Sequence, residues 1–475
     1  MKSVRNYPDN SFELSSELPF SAEEVFNWHT RKGTIYRLLP PWEPVSIIEA
    51  APSISDGAKA KFLIGWPPFA ISWLAEHYKV VQGKSFNDRQ LHGPFASWEH
   101  NHTFIETGSN RSILQDTIKY RLPFHLLSHH LEPLLVYNQL KRMFNYRHSV
   151  TLSDLSAHAQ YGNKPLKIAI TGATGGIGSS LSSFLLSGNH QVLAISRSIR
   201  PSSTQLASTN IQWNPNKGEF NSSALEGCDG IVHLAGASIA QGRWTPEQKR
   251  RIIESRVQST KTLATWIRSL NQPPKVIVCA SAIGFYGSRG DEILDEKSSS
   301  GTGFLAQVCK EWEDEIQRLE NCGSRIVTLR IGTVLNPAHG ALSTLSIPFR
   351  LGLGGKIGNG KQWMSWISLP DLLRLIYHAL SDERMQGVVN AVSPESVTNA
   401  VFTQALGNAL KRPTLLPLPA VVTRILFGEI ADELLLSSTR VTPSVALARG
   451  FKFELAQIDA ALTFLYGRKA ITSKD

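Results

Sequence analysis

The apolar positions of this chain fall into two patterns. Through the first 150 residues they sit in short runs cut by Pro, Gly, Asn and Asp, which is the spacing of a strand-rich unit. Phe12 and Leu14 alternate with polar neighbours, and strand-like runs follow at Val45–Ile48, Lys59–Ile64, Ile71–Val81, Ser97–Ile105 and Ile113–Tyr120. Ser21 with Glu24 three residues on makes a capping box for a helix through Val25, Phe26 and Trp28. A long amphipathic helix closes the unit, Leu127 to Arg147, with Leu131, Leu135, Leu140, Met143 and Phe144 on its apolar stripe. A polar stretch, Ser156 to Pro165, reads as a linker.

From Leu166 the pattern changes to solid apolar runs followed by helices. Leu166–Ile170 predicts a buried parallel strand, and Ile177–Leu186 an apolar helix. Further strands are predicted at Gln191–Ile195, Ile211–Trp213, Asp229–Ala237, Lys275–Ser281 and Arg330–Leu335, with helices at Trp244–Ile267 and Phe304–Glu313. From Thr398 the chain reads as a small helical lobe with a Pro-rich link at Pro413, Pro417 and Pro419. The expectation is an α/β Rossmann-like, doubly wound parallel sheet over 166–397. A C-terminal helical lobe follows at 398–475, and an α+β domain precedes it over 1–155 with a linker at 156–165.

Length and composition narrow the function classes. At 475 residues, 42% hydrophobic and 19% charged, the chain is globular, with two or three domains expected. No apolar run approaches the roughly 20 residues of a membrane span, and Met1–Glu17 has no apolar signal core, so a cytoplasmic protein is expected. Cys228, Cys279, Cys309 and Cys322 form no C-x-x-C pair. The net charge of +10 has one dense cluster, Lys249-Arg250-Arg251, without interleaved aromatics, so no nucleic-acid partner is expected.

The densest chemistry lies between the first core strand and its helix. Gly172, Gly175 and Gly178 repeat every three residues in Thr171-Gly172-Ala173-Thr174-Gly175-Gly176-Ile177-Gly178. Glycines let backbone approach a pyrophosphate, and the following helix N-terminus offers free N–H groups to it. The second strand ends in Ser196-Arg197, about 20 residues on, where an arginine suits a 2′-phosphate. The cofactor expected is NADP(H).

The Thr-Gly-x-x-Gly-x-x-Gly form resembles the extended short-chain dehydrogenase/reductase superfamily. That resemblance implies a small-residue turn under the adenine ribose, matched by Leu234-Ala235-Gly236, with Arg256 on the pyrophosphate side. Ser281-Ala282-Ile283-Gly284-Phe285-Tyr286-Gly287 resembles the segment whose serine polarises a substrate carbonyl. Lys310, 29 residues later, matches the family lysine that holds the nicotinamide ribose, while Ala306 stands where the tyrosine is expected. Ser281 and Lys310 are therefore the candidate catalytic residues, both also on the cofactor, and Ile331 of the sixth strand joins the cofactor set. Cys309 falls on nearly the same helix face as Ala306, and Tyr286 serves only if its loop turns inward.

The C-terminal third carries Gly352-x-Gly354-Gly355-Lys356-Ile357-Gly358-x-Gly360, Gln362-Trp363-x-Ser365-Trp366 and Asp371, then Gly428-Glu429 and Arg440-Val441-x-Pro443. This series resembles the atypical extended short-chain dehydrogenases known as epimerase family proteins. Gln362, Trp363 and Trp366 are the candidate substrate contacts, and Asp371 reads as a helix cap.

The front domain resembles the helix-grip, START-like or polyketide-cyclase-like superfamily. Trp98-Glu99-His100-x-His102 and Asp116-Thr117-Ile118-x-Tyr120-x-Leu122-Pro123 carry the resemblance, which implies a pocket for a hydrophobic ligand. Phe62, Trp66, Phe69, Trp73 and Phe95 are its candidate lining. Nine of the 14 histidines fall in the first 150 residues, with His100 and His102 on one strand face and His125 and His129 at helical spacing. A metal site needs three or four convergent ligands, which these histidines alone do not assemble, so no metal is expected. Two functions follow: an NADP(H)-dependent oxidoreductase or epimerase on a small molecule, or a catalytically reduced NADP(H)- and ligand-binding sensor.

Overall fold

The computed structural model describes residues 10–123, 136–162, 164–197, 207–215, 222–240, 242–320 and 322–468. Its contacts divide the chain into two compact units. One holds the chain up to residue 163, with short returns at 186–189 and from 467 onward; the other holds 164–185 and 190–466.

The first unit is a seven-stranded antiparallel sheet in the order β1-β7-β6-β5-β4-β3-β2. Its strands are β1 (Asn10–Leu18), β2 (Val45–Glu49), β3 (Lys59–Ile64), β4 (Ile71–Val81), β5 (Ser85–His92), β6 (Ser97–Gly108) and β7 (Arg111–Arg121). Alternation decides which face is buried: Trp98, His100, His102 and Phe104 of β6 point inward, as do Leu114, Asp116, Ile118 and Tyr120 of β7. The Ala22–Thr30 helix starts at Ser21, whose hydroxyl accepts from the Glu24 N–H, as the capping box requires.

Three expectations for this unit are corrected. The run Ser85–His92 is polar and was not read as a strand; it is one because both neighbours pair with it and Asp88 and Arg89 find partners on them. The closing helix is described over Asn138–Ala159, so it runs through the start of the expected linker, while His125, His129, Leu131 and Leu135 lie outside the described residues. Its polar second half can be buried because the Ser149 and Thr151 hydroxyls bond carbonyls four residues back and Asp154 pairs bidentately with Arg37 at 2.7 and 2.8 Å. Of the candidate lining residues, Trp66 and Phe69 are solvent-exposed, at 70% and 87%, whereas Trp73 and Phe95 pack on the core of Phe12, Trp98, Ile118, Tyr120, Leu140 and Phe144.

The second unit is built on a seven-stranded parallel sheet. In chain order it contains β8 (Lys167–Thr171), β9 (Gln191–Ser196), β10 (Thr209–Gln212), β11 (Gly230–His233), β12 (Val276–Ala282), β13 (Ile293–Leu294), β14 (Arg325–Ile331), β15 (Thr333–Leu335), β16 (Trp363–Met364), β17 (Trp366–Ser368), β18 (Gly387–Ala391), β19 (Val397–Thr398) and β20 (Arg440–Val441). The main sheet runs β10-β9-β8-β11-β12-β14-β18, so strand order reverses between β8 and β11. Both faces are covered, which is why these strands read as unbroken apolar runs. Three separate short pairs are β13–β20, β15–β17 and β16–β19, of which β13–β20 joins the C-terminal segment to residues 293–294. Among the described residues no helix is long and apolar enough to cross a membrane.

Candidate functional site

The reversal of strand order opens a crevice at the carboxyl ends of β8 and β11, the place where open α/β sheets hold ligands. The glycine turn lines one side. Gly172 has φ +69°, and a Cβ there would come within 2.9 Å of the Leu234 carbonyl. A Cβ on Gly178 would lie 2.8 Å from Ala173 Cα and still closer to the Gly172 carbonyl oxygen. Any side chain at either position forces the turn open. Thr174 and Gly175 form its exposed lip.

Leu234-Ala235-Gly236 forms the other side, and the two are stitched beneath by a buried polar chain. Thr171 Oγ1 accepts from the Leu234 and Ala235 N–H groups at 3.1 and 3.3 Å and donates to His233 Nδ1 at 2.8 Å. His233 Nε2 in turn donates to Thr260 Oγ1 at 3.2 Å, which also accepts from Trp312 Nε1 at 3.2 Å. One tautomer of a neutral imidazole satisfies every bond in this chain, and burial pushes the His233 pKa down to about 4. His233 escaped the sequence reading; its only local signal is a polar residue inside a buried strand.

Arg256 sits over this wall. A Cβ on Gly236 would meet its guanidinium carbon at 3.3 Å; it also donates to the Ile252 carbonyl and stacks 5.1 Å from the Trp312 ring. Arg197 is exposed at the end of β9, beside buried Ser196. The turn, the small-residue wall and the cation fit a dinucleotide: backbone can approach closely where Gly172, Gly178 and Gly236 stand.

The next strand ends in a second cluster. Ser281, at the end of β12, donates to Glu313 Oε1 at 2.6 Å. Arg330 of β14 grips the same carboxylate with Nε at 2.9 Å and Nη2 at 2.7 Å, and donates from Nη1 to the Tyr286 hydroxyl at 2.9 Å. Tyr286 is fully buried and donates to Asn390 Oδ1 at 2.7 Å. Its loop does turn inward, yet the hydroxyl is committed to the core, and burial raises its pKa. All five polar groups are buried.

This arrangement changes several expectations. Lys310 lies on the exposed side of the Phe304–Gln317 helix and is not brought to Ser281. One residue is about 100° around a helix, so the side chains that do face the Ser281 strand end are Cys309 and Glu313. The apolar spacing of Phe304, Leu305, Val308, Cys309, Trp312 and Ile316 carried that signal. Ser281 gives its proton to Glu313, so the hydroxyl presents lone pairs, not the hydrogen that polarising a carbonyl needs. The Cys309 thiol is pushed up to about 12, chiefly by burial, and stays protonated. Ile331 is buried at the end of β14.

The candidate substrate contacts also separate. Trp366 is completely buried in the core. Gln362 spends its amide on the carbonyls of Ile357 and Leu435. Trp363 is half-buried, donating to Asp291 at 2.7 Å under the Arg440 guanidinium. Asp371 is not the cap: Ser368 is, its Oγ accepting from the Asp371 N–H, and the Asp371 carboxylate in the first turn accepts from Ser368 Oγ and from the Glu454 and Leu455 N–H groups.

Residues 168–391 match the NAD dependent epimerase/dehydratase family, and 418–465 match a domain of unknown function, DUF1731. The epimerase family protein MT2273 of Mycobacterium tuberculosis is 41% identical over 297 residues, 62% of this chain and 96% of that protein. The crystal structure of the human epimerase family protein SDR39U1 with NADPH is 33% identical and superposes with a TM-score of 0.58 over 63% of this chain and 99% of that one. The nucleoside-diphosphate sugar epimerase of Corynebacterium glutamicum is 32% identical, with a TM-score of 0.79 over 98% of this chain and 91% of its own. On the identity and coverage of these relatives, and on the strand–glycine turn–helix at the switch point, the chain belongs to the epimerase family.

Proposed function

We propose that this protein binds NADP(H) and acts as an oxidoreductase or epimerase on a small molecule. The observation that carries the reading is the turn Gly172–Gly178, too tight for any side chain at Gly172 or Gly178 and set at the reversal of strand order. The binding of NADPH by the human relative supports it. Ala173, Thr174, Gly175, Gly176 and Ile177 complete the pyrophosphate cradle with the helix N-terminus. Leu234, Ala235 and Gly236 lie under the adenine ribose, Arg256 neutralises the pyrophosphate, and Ser196 and Arg197 take the 2′-phosphate. When bound, the cofactor supplies hydride exchange at its nicotinamide.

Ser281 is kept as the residue facing the reacting end, with a revised task. Held by Glu313 and Arg330, its oxygen accepts a hydrogen bond from a substrate hydroxyl and orients it. Cys309 takes the helix position nearest that end. Trp363 is the substrate contact retained, and Lys310 is not.

The experiment is titration of the whole protein with NADPH, read by tryptophan fluorescence and melting temperature. A saturable change in both is expected, with NADH weaker. No change in either overturns the reading.

A second reading has an observation of its own. Ala306 is buried where a proton-relaying tyrosine is expected, and the neighbouring thiol holds its proton. On that ground the chain is a sensor that holds NADP(H) without turnover, its antiparallel unit serving as a START-like module for a hydrophobic ligand. Loss of a measured turnover in Ser281→Ala would exclude the sensor.

A further inference from the structure

The inward face of the antiparallel sheet carries polar residues where its alternation calls for apolar ones. His100 and His102 stand two apart on β6 and share that face. In register, Asp88 of β5 is directly opposite His100, and Asp116 of β7 directly opposite His102. His148 closes the square from the Asn138–Ala159 helix, its Nε2 2.6 Å from Asp116 Oδ2 and its Nδ1 2.8 Å from Ser16 Oγ. His100, His102 and Asp116 are 3%, 8% and 3% exposed, so solvent does not explain them.

The two imidazoles span the gap between the same two carboxylates, with their rings turned opposite ways. His100 Nδ1 lies 3.1 Å and His102 Nε2 3.5 Å from Asp88 Oδ2. Their other nitrogens lie 2.9 and 2.6 Å from Asp116 Oδ1. Yet His102 Nδ1, buried, makes no aligned hydrogen bond there, and 3.5 Å at its other end is long for one. As hydrogen bonds these contacts leave a buried imidazole poorly satisfied. As the edges of a coordination polyhedron they fit: ligands about 2.1 Å from a tetrahedral zinc stand about 3.4 Å apart. The three ligand atoms lie within 4.8 Å of one another.

We propose that Asp88, His100 and His102 form a site for a divalent first-row transition ion, with Asp116 as the carboxylate that orients both histidines from behind. Two imidazoles and one carboxylate are a donor set for borderline ions such as zinc, cobalt(II) or iron(II). A carboxylate on the far nitrogen of a metal-bound histidine fixes ring and tautomer, and Asp116 stands there for both. His148 and Ser16 complete that outer layer. Asp88 is the most exposed of the four side chains, at 17%, so the remaining coordination position opens on its side. Three protein ligands with an open position is the arrangement of a metal that meets a water or a ligand oxygen. A small molecule with one oxygen donor is the class of ligand such an ion recruits. The sequence hid the site because its histidines were weighed without the carboxylates of the neighbouring strands.

The test uses the full chain, stripped with a chelator and titrated with cobalt(II), then zinc. One equivalent is expected, with a cobalt ligand-field spectrum and a zinc-dependent rise in melting temperature. Asp88→Asn and His102→Gln should each weaken binding at least 100-fold, and Asp116→Asn 10- to 100-fold. Should a variant fail to fold, X-ray absorption of the cobalt-loaded wild type decides, with two nitrogen-ring shells and a carboxylate oxygen expected. Less than a tenth of an equivalent at micromolar free metal, or unchanged binding in the folded Asp88→Asn and His102→Gln proteins, overturns the site.

Discussion

The Ser281 hydroxyl donates to Glu313 at 2.6 Å, and the same carboxylate oxygen accepts from Arg330 Nε at 2.9 Å. Two strand ends and the body of a helix are joined in that bond pair. Its energetics follow from burial: a carboxylate and a guanidinium taken out of water are tolerated only because each satisfies the other.

Removing one partner exposes that dependence. Glu313→Leu leaves Arg330 buried without a counter-charge and should cost about 3–5 kcal/mol. Adding Arg330→Met should recover a large part of the loss. Urea unfolding of the single and double variants reads both numbers. An additive double variant would mean the pair contributes nothing as a unit.

Lys310 supplies the contrast. It is exposed, one residue and about 100° away from Cys309, so Lys310→Ala should leave NADPH affinity within about twofold and stability within about 0.5 kcal/mol. Gly178→Ala should do the opposite. Its Cβ would press on Ala173 and the Gly172 carbonyl, deforming the turn, and at least a tenfold loss of NADPH affinity, about 1.4 kcal/mol, is expected. Calorimetric titration of the two variants side by side separates the placements.

How much of this was legible divides along contact distance. The glycine turn was readable because its meaning lies within seven residues and two flanking elements. The helix start near Asp371 was readable too, though the cap is Ser368, three residues earlier. The Ser281 cluster was not, because Glu313 and Arg330 are 32 and 49 residues from the serine and meet it only through strand order. Lys310 was misplaced by matching a spacing and ignoring the helical face. Trp366 looked like a substrate contact because a glycine-rich loop precedes it, yet β17 inserts it into the core. Ser85–His92 was missed since strand pairing, not its own pattern, makes it a strand.

Arg197 sets cofactor choice if it clasps the 2′-phosphate. Arg197→Glu should cut the preference for NADPH over NADH by about tenfold or more, with NADH affinity little changed. Competition between the two cofactors in one titration measures the ratio. An unaltered ratio would assign the preference to other residues.

His233 makes stability depend on pH. Its folded pKa is pushed down to about 4 by burial, while the unfolded chain titrates it near 6.5. Between these values the unfolded state holds the extra proton, so the contribution is complete above about pH 6.5 and is lost as pH falls toward 4. The full difference is about 3 kcal/mol at most. His233→Gln, which keeps an amide between Thr171 and Thr260, should show a shallower loss of stability over that range than the wild type. Parallel denaturation curves at pH 7, 6 and 5 decide it; identical slopes would place the charge change elsewhere.

The helix bearing Cys309 and Glu313 is held at its start by the C-terminal segment. The Phe304 and Leu305 N–H groups donate to the two Glu433 carboxylate oxygens at 3.1 and 3.2 Å. Gly303, at φ +104°, leaves no room for a Cβ beside that carboxylate. An anion there answers both the open N–H groups and the positive end of the helix dipole. Glu433→Ala should therefore cost about 1–2 kcal/mol, as lost caps do, and Glu433→Gln less, because the amide keeps one accepting oxygen while losing the charge and turning an NH2 toward the other backbone N–H. Adding salt should narrow the gap between wild type and Glu433→Gln, because the charge part is screened and the hydrogen bonds are not. Unfolding curves at low and high ionic strength test both steps. A Glu433→Gln protein as damaged as Glu433→Ala at every salt concentration would show that the two carboxylate oxygens, not the shape of the side chain, hold the helix start.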